Sequence, residues 1–113
     1  MRAAGRGGAV TNIEARDALA VAFPRLTWRL GGTEAWASVY GTLNGIEFAV
    51  SPPDVPGFPS VGQTSWRCSV RNQLAATVMT REQRDGETLP DLVRRTTADL
   101  VAWVDSVRQA VSP

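Results

Sequence analysis

Asn44-Gly45 separates two runs that alternate apolar and polar residues, and this feature most narrows the possible folds. A two-residue hairpin turn of the common type needs positive φ at both positions, which Asn and Gly adopt at little cost. With Asn44-Gly45 as the loop, Leu43 faces Ile46, Gly41 faces Phe48 and Val39 faces Val50. Upstream, Leu26, Trp28 and Leu30 alternate with Thr27 and Arg29, and Gly31-Gly32 offers a second two-residue turn. That turn pairs Trp28 with Ala35 and Leu26 with Ala37. The two turns independently assign Ala35, Ala37, Val39, Gly41 and Leu43 to the core face of the middle strand. A one-residue slip would turn every side chain over, so the agreement predicts a three-strand meander. The opposite face carries Thr27, Arg29, Glu34, Trp36, Ser38, Tyr40, Thr42 and Glu47, with Arg29 across from Glu34 as a favourable charge pair.

The flanking segments complete the pattern. Thr11-Asn12-Ile13-Glu14 is a capping box, and Ala15, Ala18, Leu19, Ala22 and Phe23 then share one side of a short helix that Pro24 stops. Ser51 to Gln63 holds Pro52, Pro53, Pro56 and Pro59, a density that excludes a helix or central strand and predicts a long, stiff loop. Ser65 to Arg71 alternates with Trp66, Cys68 and Val70 inward, so Cys68 reads as a small buried hydrophobe. Leu74 to Thr80 is expected to be its hairpin partner across Asn72-Gln73, followed by a polar connection through Gly86. Thr88-Leu89-Pro90-Asp91 starts a helix that runs to about Val111. Leu89, Leu92, Val93, Thr96, Leu100, Val101, Val104, Val107 and Val111 keep helical spacing along it, with Trp103 at the stripe's edge. Asp91–Arg95 and Arg95–Asp99 are i,i+4 pairs for its wet side.

The predicted fold is α+β: an antiparallel sheet of about five strands, with a short N-terminal and a long C-terminal helix on one face. Leu92, Leu100, Val104 and Val107 are expected to cover Trp28, Val39, Phe48, Trp66, Cys68 and Val70. The order of elements resembles that of secretion chaperones and YbjN-like domains, with the loop where they carry a short helix. That likeness is one of topology, over the predicted strands and helices. At 113 residues there is room for one domain, here 11–113, behind a disordered Gly/Arg tail over 1–10. Met1 to Val10 lacks the apolar core of a secretory signal. An alternative reading is that Gly5-Arg6-Gly7-Gly8 is encoded by a ribosome-binding sequence and Val10 by a GTG start, which would put the native start at position 10.

The residue inventory removes several chemistries. There is no histidine, and all twelve basic residues are arginine, a usage that points to a GC-rich genome. Histidine is the commonest general base and metal ligand, so no Ser-His-Asp or Cys-His triad can be built within the chain. Without lysine there is no Schiff base and no phosphate loop of the lysine type. No cofactor and no metal site is expected, and the inventory argues against an enzyme. Net charge is +1, which disfavours a dedicated polyanion binder. The reading that follows is a non-catalytic protein-binding domain of adaptor, chaperone, immunity or inhibitor type. Its contact residues are expected on the open sheet face, Trp36 and Tyr40 with Arg29, Arg67 and Arg71, and on the proline-rich loop, Val55 and Phe58. The partner is a protein, with a second copy as one candidate. One alternative is single-stranded nucleic acid stacked on Trp36 and Tyr40. The other is a small-ligand or carboxylate-based site under the loop, which a carboxylate of raised pKa would mark. From the single thiol and the lack of a signal-like start, a cytoplasmic location is expected.

Overall fold

The computed structural model describes residues 10–34, 37–53 and 64–113. The elements in chain order are α1 (Asn12–Ala22), β1 (Thr27–Leu30), β2 (Val39–Leu43), β3 (Ile46–Ser51), β4 (Arg67–Arg71), β5 (Thr77–Glu82) and α2 (Leu89–Ala110). The strands form one antiparallel sheet in sequence order, and both helices pack on one of its faces. The chain is therefore α+β.

The helix ends are built as their sequences require. The Thr11 hydroxyl accepts from the Glu14 amide, and the Glu14 carboxylate accepts from the Thr11 amide, closing the capping box. Phe23, next to Pro24, is the C-cap of α1. The Thr88 hydroxyl caps α2 by accepting from the Asp91 amide, with Pro90 in the first turn.

The β2–β3 hairpin has the expected register: Leu43 opposite Ile46, Gly41 opposite Phe48 and Val39 opposite Val50. Asn44 and Gly45 both have positive φ, 50° and 81°. The β1–β2 pairing differs from expectation. Gly31-Gly32 is not a two-residue turn; Trp28 pairs with Gly41 and Leu30 with Val39. The reason lies at Gly41, where an added Cβ would stand 2.6 Å from the Trp28 ring. Only a residue without a side chain leaves room for the indole there, whereas Ala35 would have lifted it. The intervening loop is held from α1. The buried Asn12 amide donates to the carbonyl oxygens of Glu34, at 2.9 Å, and of Ala37, at 3.4 Å. The partner strand has shifted by six residues, an even number, so every side chain keeps its expected face.

β4 pairs with β3 through Phe48–Val70 and Val50–Cys68, and with β5 through a bulge near Val70 and Arg71. The β4–β5 turn is longer than Asn72-Gln73. Asn72 Oδ1 accepts from the amides of Leu74 and Ala76, and Ala75 takes φ 61°, so β5 begins only at Thr77. The core consists of Ala15, Leu19, Val39, Val50, Trp66, Cys68, Leu89, Leu92 and Val93, with Phe23, Trp28, Leu30 and Phe48 packed against it.

One expectation about α2 fails. Leu92 and Val93 are core residues, but Val104 and Val107 are exposed and stand outside the core. The cause is length. At 1.5 Å per residue α2 is about 33 Å long, while a five-residue strand such as β4 is about 17 Å. α1 and α2 both start at the sheet end formed by Ala37 and Trp66, so α2 runs off the other end. The charge pairs adjust accordingly. Arg95 bonds Glu87 at 2.8 Å instead of Asp91 or Asp99, Arg94 takes Asp91, and Asp99 reaches back to Arg81 on β5 at 2.8 Å.

Candidate functional site

Of the residues expected on the open sheet face, Arg29, Tyr40 and Arg71 come together. Tyr40 stands opposite Arg29 on β1, and Glu47 stands opposite Arg71 on β4. The Arg29 guanidinium lies 4.6 Å and that of Arg71 5.9 Å from the centre of the Tyr40 ring. Glu47 joins them, accepting from Arg29 at 3.4 Å and from Arg71 at 3.5 Å. Tyr40 is consequently half-buried under two cations that share one carboxylate. Arg29 does not meet Glu34, because the shifted β1–β2 register puts Tyr40 across from it. Arg67 lies on the same face but pairs with Glu82 on β5 at 3.3 Å, and its Nε is enclosed without an acceptor among the described residues. Trp36, Val55 and Phe58 lie outside the described residues.

A second surface was not expected. Beyond Asp99, the stripe of α2 leaves the sheet and stays apolar. Val101 is 54% exposed, Trp103 55%, Val104 41%, Val107 45% and Val111 79%, while Leu100 is half-buried at the transition. Leu100, Val104, Val107 and Val111 continue the line of Leu89, Leu92, Val93 and Thr96. Periodicity alone treats both halves as core. The signal that separates them is arithmetic: twenty-two helical residues against strands of four to six. On the helix-bearing face, the sheet ends in the Leu43–Ile46 pair, both exposed.

A third region is a cavity of about 630 Å³ at the opposite end, where α2 begins. Val10, Pro53, Thr64, Trp66, Arg84 and Leu89 are among its walls, so it lies between the two anchor residues of the proline-rich segment. Asp85 and Glu87 are its acidic lining residues, and Glu87 has a pKa held below the ordinary carboxylate value, chiefly by the hydrogen bond from Arg95. Cys68 is fully buried, and burial pushes its thiol up to about 11 against a hydrogen bond with Thr96, which makes it inert at neutral pH. Among the described residues there is no cluster of potential metal ligands and no helix long and apolar enough to cross a membrane. No family model, curated protein or solved structure matches the chain.

Proposed function

We propose that the chain is a non-catalytic protein-binding domain and that its contact surface is the far half of α2, residues 100–111. One observation carries this reading: an amphipathic helix whose stripe is core for its first half and bare for its second. A contiguous exposed apolar stripe rimmed by charge is characteristic of a protein interface. Trp103 adds an aromatic anchor of the kind that concentrates binding energy. The open sheet face supports the nucleic-acid alternative less well. Its cations are engaged, Arg29 and Arg71 by Glu47 and Arg67 by Glu82, so phosphates would have to break existing pairs. The single thiol suits work in a reducing compartment such as the cytoplasm.

Photo-crosslinking tests the reading. A benzophenone side chain at position 107, on the bare stripe, should give covalent adducts with protein in cells that express the chain at native level. The same group at Ala102, exposed on the opposite side of α2, should give few. Equal yields from the two positions, or adducts from neither, would refute the proposed surface.

A further inference from the structure

We infer that the occupant of the bare stripe is a second copy of this chain. The far halves of two α2 helices pair antiparallel about a two-fold axis between Val104 and Val107. This rests on the protein-binding reading above and names its partner.

The described residues that flank the chain's remaining segments lie at the end of α2 opposite the bare stripe. Val10, Pro53 and Thr64 adjoin two of the undescribed segments, and all three line the cavity at the N-terminal end of α2. Glu34 and Ala37, which flank the third, are bonded to Asn12 at that same end. Position 104 lies about 22 Å along α2 from Leu89. Met1–Ala9, the segment with most reach, has one large apolar side chain, Met1.

The direction follows from the fold. Along its first half the stripe faces the chain's own sheet. A parallel partner helix would bring its sheet to the same end, into the space this sheet occupies. An antiparallel partner overlaps only the far half and carries its sheet away at the other end.

The side chains also complement one another in that arrangement. Setting Leu100 against Val111 of the second copy, and Val104 against its Val107, places Trp103 beside Ala110, a bulky residue on a small one. Val101 comes beside the aliphatic stem of Arg108, whose head keeps its own Asp105 at 3.2 Å. The C-terminal turn of each copy then points toward the end of the other's sheet at which Leu43 and Ile46 are exposed. Two such stripes bury on the order of 1,000 Å² in total, the lower bound for a specific interface, which fits a moderate rather than an obligate dimer.

Sedimentation of the full chain, with cysteine pairing, tests this. The wild type should be a dimer at tens of micromolar. Val107→Asp should weaken association roughly a hundredfold or more, since it would bury an unpaired charge, and keep the helical circular dichroism of the wild type. Val107→Ser serves as a milder variant should the charge disturb folding. In a Cys68→Ser background, Val101→Cys protein mixed with Arg108→Cys protein should form mainly the mixed 101–108 disulfide. Predominant 101–101 and 108–108 bridges would overturn the antiparallel pairing. A wild type that stays monomeric to hundreds of micromolar would overturn the dimer. If position 107 then crosslinks to a different protein, the protein-binding reading survives; if it yields no adduct, both readings fall. Adducts within one chain, from position 107 to residues 1–9, would likewise overturn the proposal.

Discussion

The two halves of α2 carry the same kind of stripe and lead different lives. In the first half Leu92 and Val93 are sealed against Trp66 and Cys68, and Thr96 turns its hydroxyl back onto the Leu92 carbonyl at 2.7 Å. In the second half Val104 and Val107 stand in solvent. Side-chain pattern does not distinguish the halves; what differs is whether a sheet lies beneath. A hydrophobic period states that a face wants cover and leaves open whether the cover comes from the same chain.

Truncating one residue in each half should separate the two most strongly. Leu92→Ala should cost roughly 3–4 kcal/mol, because it empties a fully buried site. Val107→Ala should cost less than about 1 kcal/mol at concentrations low enough to hold the monomer. Urea unfolding followed by tryptophan fluorescence compares them. Equal losses would mean that the second half is covered after all.

A smaller effect separates the halves by their ion pairs. Arg95 and Glu87 are 17% and 12% exposed, and the Glu87 pKa is lowered on folding. A lowered folded-state pKa adds stability above the unfolded value, about 4.5, and that stability is lost as pH falls through the folded value. Glu87→Gln should therefore flatten the acid limb of the stability curve below pH 4.5 and lower stability at pH 7. Asp105→Asn, on an exposed pair, should change stability at pH 7 by no more than about 0.5 kcal/mol. Acid titrations of unfolding free energy for the three proteins read both effects.

The gentlest probe leaves the sequence intact. Amides of residues 93–99 should exchange only through global opening, whereas those of 104–110 should exchange faster by fraying at low concentration. Protection of the second set that rises with protein concentration would be evidence of pairing. Thiol labelling gives a matching clock. Cys68 lies under the first half with its thiol near 11, so an alkylating reagent at pH 8 should reach it only as fast as that half opens.

Much of the fold was legible in local chemistry. Capping boxes, Asn-Gly and strict alternation act over a few residues, so α1, the β2–β3 register and the start of α2 follow from neighbours alone. The placement of Phe48 on the helix-bearing face, with Glu47 on the other, rests on that register. The β1–β2 register was not legible, because it depends on a contact between Trp28 and Gly41 that is distant along the chain. The Arg29–Tyr40–Arg71–Glu47 group was half visible: its members shared a predicted face, but the arginines' engagement with one carboxylate requires the sheet to exist. The bare stripe was hidden because periodicity reports that a face is apolar and says nothing about where the sheet ends.

The cavity and the overhang sit at opposite ends of α2, and this has a consequence for stoichiometry. In the proposed dimer, two copies joined antiparallel over about twelve residues would set their α2 N-termini roughly 50 Å apart, pointing away from each other. Each end carries its own cavity and the two anchor residues of a proline-rich segment. The proposed assembly would thus be a two-headed rod. A ligand with a single docking element would meet either head with ordinary affinity. One with two elements joined by a linker that spans the rod would gain from effective concentration, holding on far longer with no new contact at either end.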